Sequence, residues 1–288
     1  MIFFARVASS QSQFSFCKGD TFLWSGEYEA ARKNYFEMIS LKPSFKSVYI
    51  YNIACSFALD GQYDSAFHYI SLSQNNQLDL NMLYDCDFIS LHSDERWKGI
   101  TEQQRQIFFR ENENIKEKNV AWMLSTMGSK DQSLRRCTYY DRNKVRLQFL
   151  LEEQASIDDS NRRIFDSIVS IHGFPTNSGF GERAVNSAFL IIQHSDTSYQ
   201  RKYLPTIQLL AIQKQINQQY YALLVDRYNV LNGKKQIYGT QIDLQGGECR
   251  LFPCEQPLDV VDKLRLEIGM STIEEYVKLF NCKTWIIK

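Results

Sequence analysis

Gly26-Glu27-Tyr28 and Gly61-Gln62-Tyr63 stand 35 residues apart, and the architecture of the chain is read from them outward. Gly19, Ala31, Tyr35 and Pro43 surround the first turn. Ala54 and Ala66 surround the second in partly the same order, so residues 12 to about 74 hold a repeat. Glycine ends a helix because it enters the left-handed backbone region without a Cβ clash. Alanines let neighbouring helices approach, and the tyrosines wedge between them. Helical hairpins are the expected product.

This pattern resembles two tetratricopeptide repeats, whose period is one residue shorter. The resemblance implies a protein or peptide partner held by the helical repeats. A two-repeat stack leaves an open end that something must cap. Residues 80–100, with Asp85-Cys86-Asp87-Phe88 and Leu91-His92-Ser93-Asp94-Glu95-Arg96-Trp97, read as the closing helix. His68 lies between Phe67 and Tyr69 and reads as a packing residue; His92 is given no site role.

Beyond the repeats, residues 102–127 read as a long polar helix and residues 133–153 as a second one. Asp158-Asp159-Ser160-Asn161 resembles a helix N-cap before the apolar run Ile164, Ile168, Val169 and Ile171. That helix must stop at His172-Gly173, since Pro175 cannot continue it. From 182 to 195, Ala184, Val185, Ala188, Phe189, Ile191 and Ile192 form one apolar arc, with Gln193 and His194 just outside its edges. Residues 203–213 form another helix. Residues 228–231 and 235–242 read as a β-hairpin about Asn232-Gly233. Helices over 258–268 and 272–279 follow. The expected fold is mainly α: tetratricopeptide-like helical hairpins in 1–100, a connector in 101–128, and a helical 129–288 domain carrying a small β-hairpin or sheet.

Lys+Arg and Asp+Glu are equal at 33 each, so no global field recommends nucleic acid as a partner. No apolar window is long enough to span a membrane. The seven cysteines are scattered without a C-x-x-C pair, which favours buried free thiols over a disulfide or zinc scaffold and leans towards a reducing compartment. The apolar run in residues 1–6 is too short for a signal peptide, although a trimmed one would place the chain in the periplasm.

Residues 172–241 hold half of the four histidines. The ordered series is Asp131-Gln132-x-x-Arg135, His172-Gly173-Phe174-Pro175, Gln193-His194-Ser195-Asp196, Gln200-x-x-Tyr203-Leu204-Pro205, Asp226-Arg227, Gly233-Lys234-Lys235-Gln236-x-Tyr238-Gly239-Thr240-Gln241, Val261-Asp262 and Ile268-Gly269. It closely resembles an uncharacterised bacterial domain-of-unknown-function family whose members often carry tetratricopeptide segments in front. The resemblance covers about residues 120–288 and implies a domain with a site but no established reaction.

Three functional classes fit these residues. In an enzyme, His172 and His194 would act as acid and base, because imidazole titrates near neutrality, with Asp226 or Asp196 orienting one of them. Arg135 or Arg227 would hold an anionic group, and Asp131, Gln132, Gln193, Gln236, Tyr238, Thr240 and Gln241 would line the place for a small polar or anionic substrate. A binding module would use the same residues without chemistry. In a scaffold they would be a buried polar network. If turned inward, Arg135 needs a carboxylate, with Asp226 first in line. Spacing for a metal is weak, since 22 residues separate the two histidines, and no cofactor is identified.

Overall fold

The computed structural model describes residues 17–74, 77–140, 144–245, 248–280 and 284–287. The apolar run at residues 1–6, the start of the repeat at 12–16 and Cys282 lie outside them. The chain is mainly helical, with a small three-stranded sheet near the C-terminus. It divides into compact units at 164/165.

In the first unit, α1 (Lys18–Ser25), α2 (Tyr28–Leu41), α3 (Lys46–Leu59) and α4 (Tyr63–Gln74) pack successively as helical hairpins. Gly26 and Gly61 sit at φ 81° and 74°, the left-handed conformation that ends α1 and α3. Gly19 permits the close approach of α1 to α2: a Cβ there would lie 2.7 Å from Tyr35 Cε1. Buried Tyr35 stacks on Tyr49, with ring centroids 6.2 Å apart. The expected closing helix over 80–100 is broken instead into 3₁₀ turns at Met82–Tyr84 and Cys86–Leu91 and the start of α5 (Glu95–Glu111). The aspartates explain the breaks: Asp85 accepts from the Asp87 N–H and Asp94 from the Arg96 N–H, each capping a new helical start.

Two long helices follow, α6 (Lys118–Tyr140) and α7 (Lys144–His172). Arg135 meets Asp158, Thr138 lies 3.4 Å from Gln154, and Leu134 and Cys137 pack with Leu150, so the pair runs antiparallel. Asp158, Ser160 and Asn161 are therefore interior to α7, which corrects the N-cap reading. α7 ends at His172, with Gly173 at φ 78°. Cys86 and Cys137 form a disulfide, Cα–Cα 6.3 Å, and Cys249 is also disulfide-bonded. Among the described residues Cys17, Cys55 and Cys254 are free, so the all-thiol reading fails. Scattered spacing hid the pairing because 51 residues separate Cys86 from Cys137.

In the second unit, α8 (Asn177–Phe180) precedes α9 (Glu182–Gln193), whose apolar arc is buried as its periodicity requires. α10 (Thr197–Ile212) and α11 (Gln219–Leu231) pack together and against α9. The hairpin expected about Asn232-Gly233 is absent from the described residues. Residues 228–231 continue α11, and Gly233 at φ 69° terminates it, with the Lys234 N–H donating to the Asn229 carbonyl at 2.8 Å. An Asn-Gly pair serves a helix C-terminus as well as a tight turn, and the buried face of Tyr220, Leu223, Leu224 and Asn229 favours the helix. The observed hairpin joins β1 (Ile242–Gln245) to β2 (Glu248–Leu251), antiparallel, with β3 (Thr284–Ile287) parallel to β2. α12 (Leu258–Glu267) and α13 (Ile273–Lys278) close a small core containing Ile242, Cys249, Leu251, Val261 and Ile273.

Candidate functional site

The sequence-derived residues fall into two groups with different surroundings. The first belongs to the second unit and centres on the loop that leaves α11. Asp226 is fully buried. Its Oδ1 accepts from the N–H groups of Ile237 (2.7 Å) and Tyr238 (3.1 Å), and its Oδ2 from Thr240 (2.9 Å). Burial pushes its pKa up, while these N–H donors pull it back. Gln236, also fully buried, bridges the same loop: its Nε2 donates to the carbonyls of Gln241 (3.1 Å) and Phe252 (2.7 Å), and its Oε1 accepts from the Gln241 N–H (2.6 Å). The Gln241 amide donates to Thr240 Oγ1 at 3.0 Å.

Arg265 completes this loop from the other side, and sequence reasoning missed it. It is 1% exposed and donates to the carbonyls of Ser271 (2.6 Å), Tyr238 (2.8 Å) and Gly239 (3.3 Å). Its guanidinium lies 4.8 Å from the centre of the Tyr276 ring, whose hydroxyl donates to the Thr240 carbonyl. Desolvation lowers its pKa. One carboxylate thus gathers the N–H groups of Ile237, Tyr238 and Thr240, and one guanidinium gathers neighbouring carbonyls. Gly239, at φ 63°, is required in this geometry because a Cβ would lie 2.9 Å from Ile273 Cδ1. Asp226, expected from sequence to be the first partner of Arg135, spends its oxygens on backbone donors of its own loop.

Gln193 is buried, and its carbonyl accepts from Gln200 Nε2 at 3.0 Å. His194 caps the end of α9, and Asp196 caps the start of α10 by accepting from the Tyr199 N–H. His172 is exposed, with its ring 6.4 Å from that of Phe180. Arg227 and Tyr238 are half-buried, and Tyr238 meets Tyr221 edge to face at 6.3 Å. A further cluster was not anticipated: Asp166 accepts from Tyr199 (2.9 Å), Tyr203 (2.5 Å) and Lys202 (2.8 Å).

The second group lies in the first unit, on the facing sides of α6 and α7. Asp131 is 2% exposed and sits four residues before Arg135, so one helical face carries both. Arg135 Nε donates to Asp131 Oδ1 at 2.9 Å and Nη2 to Asp158 Oδ1 at 2.6 Å. Gln132 Nε2 donates to the other Asp131 oxygen at 2.8 Å. Two carboxylates therefore share one guanidinium. Burial pushes Asp158 up to about 6, with Asp131 adding to the rise and Arg135 opposing it. Asp158 escaped the sequence reading because its neighbours imitate a cap, and 27 residues separate it from Asp131.

The charged seam of α6 and α7 and the caged loop beside the small sheet both fall between the first residues of α6 and β3. Residues 119–286, more than half of the chain, match the model of a family of unknown function (DUF6624), and the chain belongs to that family. No curated protein and no solved structure matches it.

Proposed function

We propose that the protein joins a repeat-type interaction module to a family domain that carries out acid–base chemistry on a small polar substrate, with Asp158 as the group that exchanges the proton. The observation that carries this reading is the excess carboxylate: Asp131 and Asp158 both bind Arg135, and Asp158 sits at about 6. One carboxylate would neutralise the guanidinium. The second leaves the seam with a proton to gain or lose near neutral pH, a condition suited to general acid–base work. Gln132, bonded to Asp131 on the same stretch of α6, is the candidate for a substrate contact there.

The domain organisation we propose follows the family match, with hairpins α1–α4 in front as tetratricopeptide-like repeats. An open cleft of about 940 Å³ beside Tyr28, Arg32, Lys33, Asp60 and Gln62 offers a peptide partner both charge signs. Disulfide bonds at Cys86–Cys137 and at Cys249 fit an oxidising compartment. Among the described residues no helix is long and apolar enough to cross a membrane.

A second reading, a non-catalytic binding or scaffold protein, is favoured by one observation: the hydrogen bonds of Asp226, Gln236, Thr240 and Gln241 are used within their own loop and on its neighbours Phe252 and Tyr276. We accordingly give Asp226 to the architecture and leave the chemistry to α6–α7.

The two readings differ in the outcome of Asp158→Asn. A carboxyl whose folded pKa exceeds its unfolded value of 3.8 stabilises least when ionised. Its contribution is fully present below about pH 4 and is lost as pH rises through about 6. Allowing for its partial exposure, the loss is about 1–2 kcal/mol. The amide variant should therefore be at least as stable as wild type at pH 7.5. In a thermal-shift screen of small metabolites it should keep binding the wild-type ligand yet fail to turn it over. Wild-type turnover by Asp158→Asn would remove Asp158 from the chemistry.

A further inference from the structure

Also between α6 and α7 lies a half-open cavity of about 210 Å³, lined in part by Tyr84, Met127, Lys130, Ile157, Ser160 and Asn161. Asn161 is 5% exposed, and its carboxamide nitrogen has no hydrogen-bond partner. Buried amide nitrogens are almost always bonded, so an orphan at a cavity wall points to an absent acceptor. That nitrogen is itself enclosed, so an acceptor in the space is reached by turning the carboxamide, whose two ends are nearly isosteric. Lys130 is exposed and adds an ammonium at the rim; its charge helps to lower the pKa of His92, after desolvation. Met127 and Ile157 supply an apolar wall.

We infer that this cavity binds a small monocarboxylate. The carboxylate would lie between the Lys130 ammonium and the Asn161 amide, with Ser160 and Tyr84 as hydroxyl donors, and a short aliphatic body would rest on Met127 and Ile157. One ammonium matches one negative charge; a phosphate dianion calls for a bidentate or multiple cation set that this wall lacks. At ~30 Å³ per water of liquid volume, the space suits roughly seven non-hydrogen atoms. Asp131, Arg135 and Asp158 do not line the cavity, so the inference goes beyond the acid–base reading and stands or falls separately from it.

Amide-resolved NMR titration of the full chain with sodium butyrate tests it, with n-butylammonium chloride as the charge-reversed control. Butyrate should give saturable shifts confined to residues 83–85, 126–130 and 157–164, with dissociation constants on the order of millimolar. Lys130→Met alters an exposed side chain, so the fold should persist, and affinity should fall at least about ten-fold. Asn161→Asp, nearly the same size, should abolish binding by opposing the anion. Saturable binding of n-butylammonium at the same residues, full affinity in Lys130→Met, or no saturable butyrate shifts in wild type would each overturn the assignment. The Asp158 titration is read independently, so loss of butyrate binding leaves the acid–base proposal untouched.

Discussion

Asp226→Ala is expected to cost about 4 kcal/mol of stability, because it strands the N–H groups of Ile237, Tyr238 and Thr240 without an acceptor. Each orphaned buried donor costs about 1–3 kcal/mol, and the sum is partly offset by removal of a buried charge whose pKa is already raised. Asp226→Asn should cost less. One carboxamide oxygen can still serve Ile237 and Tyr238, but the amide nitrogen then faces the Thr240 N–H, donor against donor. Urea unfolding of the three proteins, followed by circular dichroism, ranks them. A loss under about 1 kcal/mol in the alanine variant would show that the loop is held by something else and would return Asp226 to the list of catalytic groups.

Arg135→Met should be comparably damaging at neutral pH and much milder in acid. It removes the cation that Asp131 and Asp158 share, leaving two carboxylates together in a buried seam at a cost of about 3–5 kcal/mol. Without the guanidinium, the folded pKa of Asp158 rises further above its unfolded value. The folded state then holds more protons than the unfolded chain, and stability falls as pH rises. Thermal melts of the variant at pH 5 and pH 7.5 should therefore show a larger deficit against wild type at the higher pH. An equal deficit at both would mean that Arg135 contributes packing rather than charge compensation.

Local signals in the chain carried most of the helical architecture. Gly26 and Gly61 end helices because their backbone conformation demands it, and the arc from Ala184 to Ile192 is buried because its periodicity is that of one helical face. Two signals were ambiguous in their physics. Asn232-Gly233 suits a tight strand turn and a helix end equally, and burial along Tyr220–Asn229 chose the helix. Asp158-Asp159-Ser160-Asn161 suits a helix start, yet here Asp158 meets a guanidinium and Ser160 and Asn161 line a cavity from within α7. Patterns of residue type report local preference; they do not report which tertiary partner claims the side chain. The Cys86–Cys137 disulfide and the buried Arg265 were unreadable for the same reason. Their partners come from distant segments, and in Arg265 the partners are backbone carbonyls that no residue type announces.

The same limit explains the candidate site. Asp131, Gln132 and Arg135 declared themselves by their helical spacing, whereas the second carboxylate that gives them an exchangeable proton is brought in by α7. Asp226 and the Gln236–Gln241 motif are rich in polar atoms because a loop without regular structure needs its backbone groups satisfied, which is a folding requirement.

The most direct test of the proposed chemistry is a pH titration of the side-chain carboxyl carbons in carbon-13 aspartate-labelled protein, read by NMR for wild type and Asp158→Asn. The account predicts one aspartate resonance in wild type with a midpoint near 6 that is missing from the variant. Titration of every aspartate below about 4.5, or persistence of the midpoint near 6 in Asp158→Asn, would contradict it.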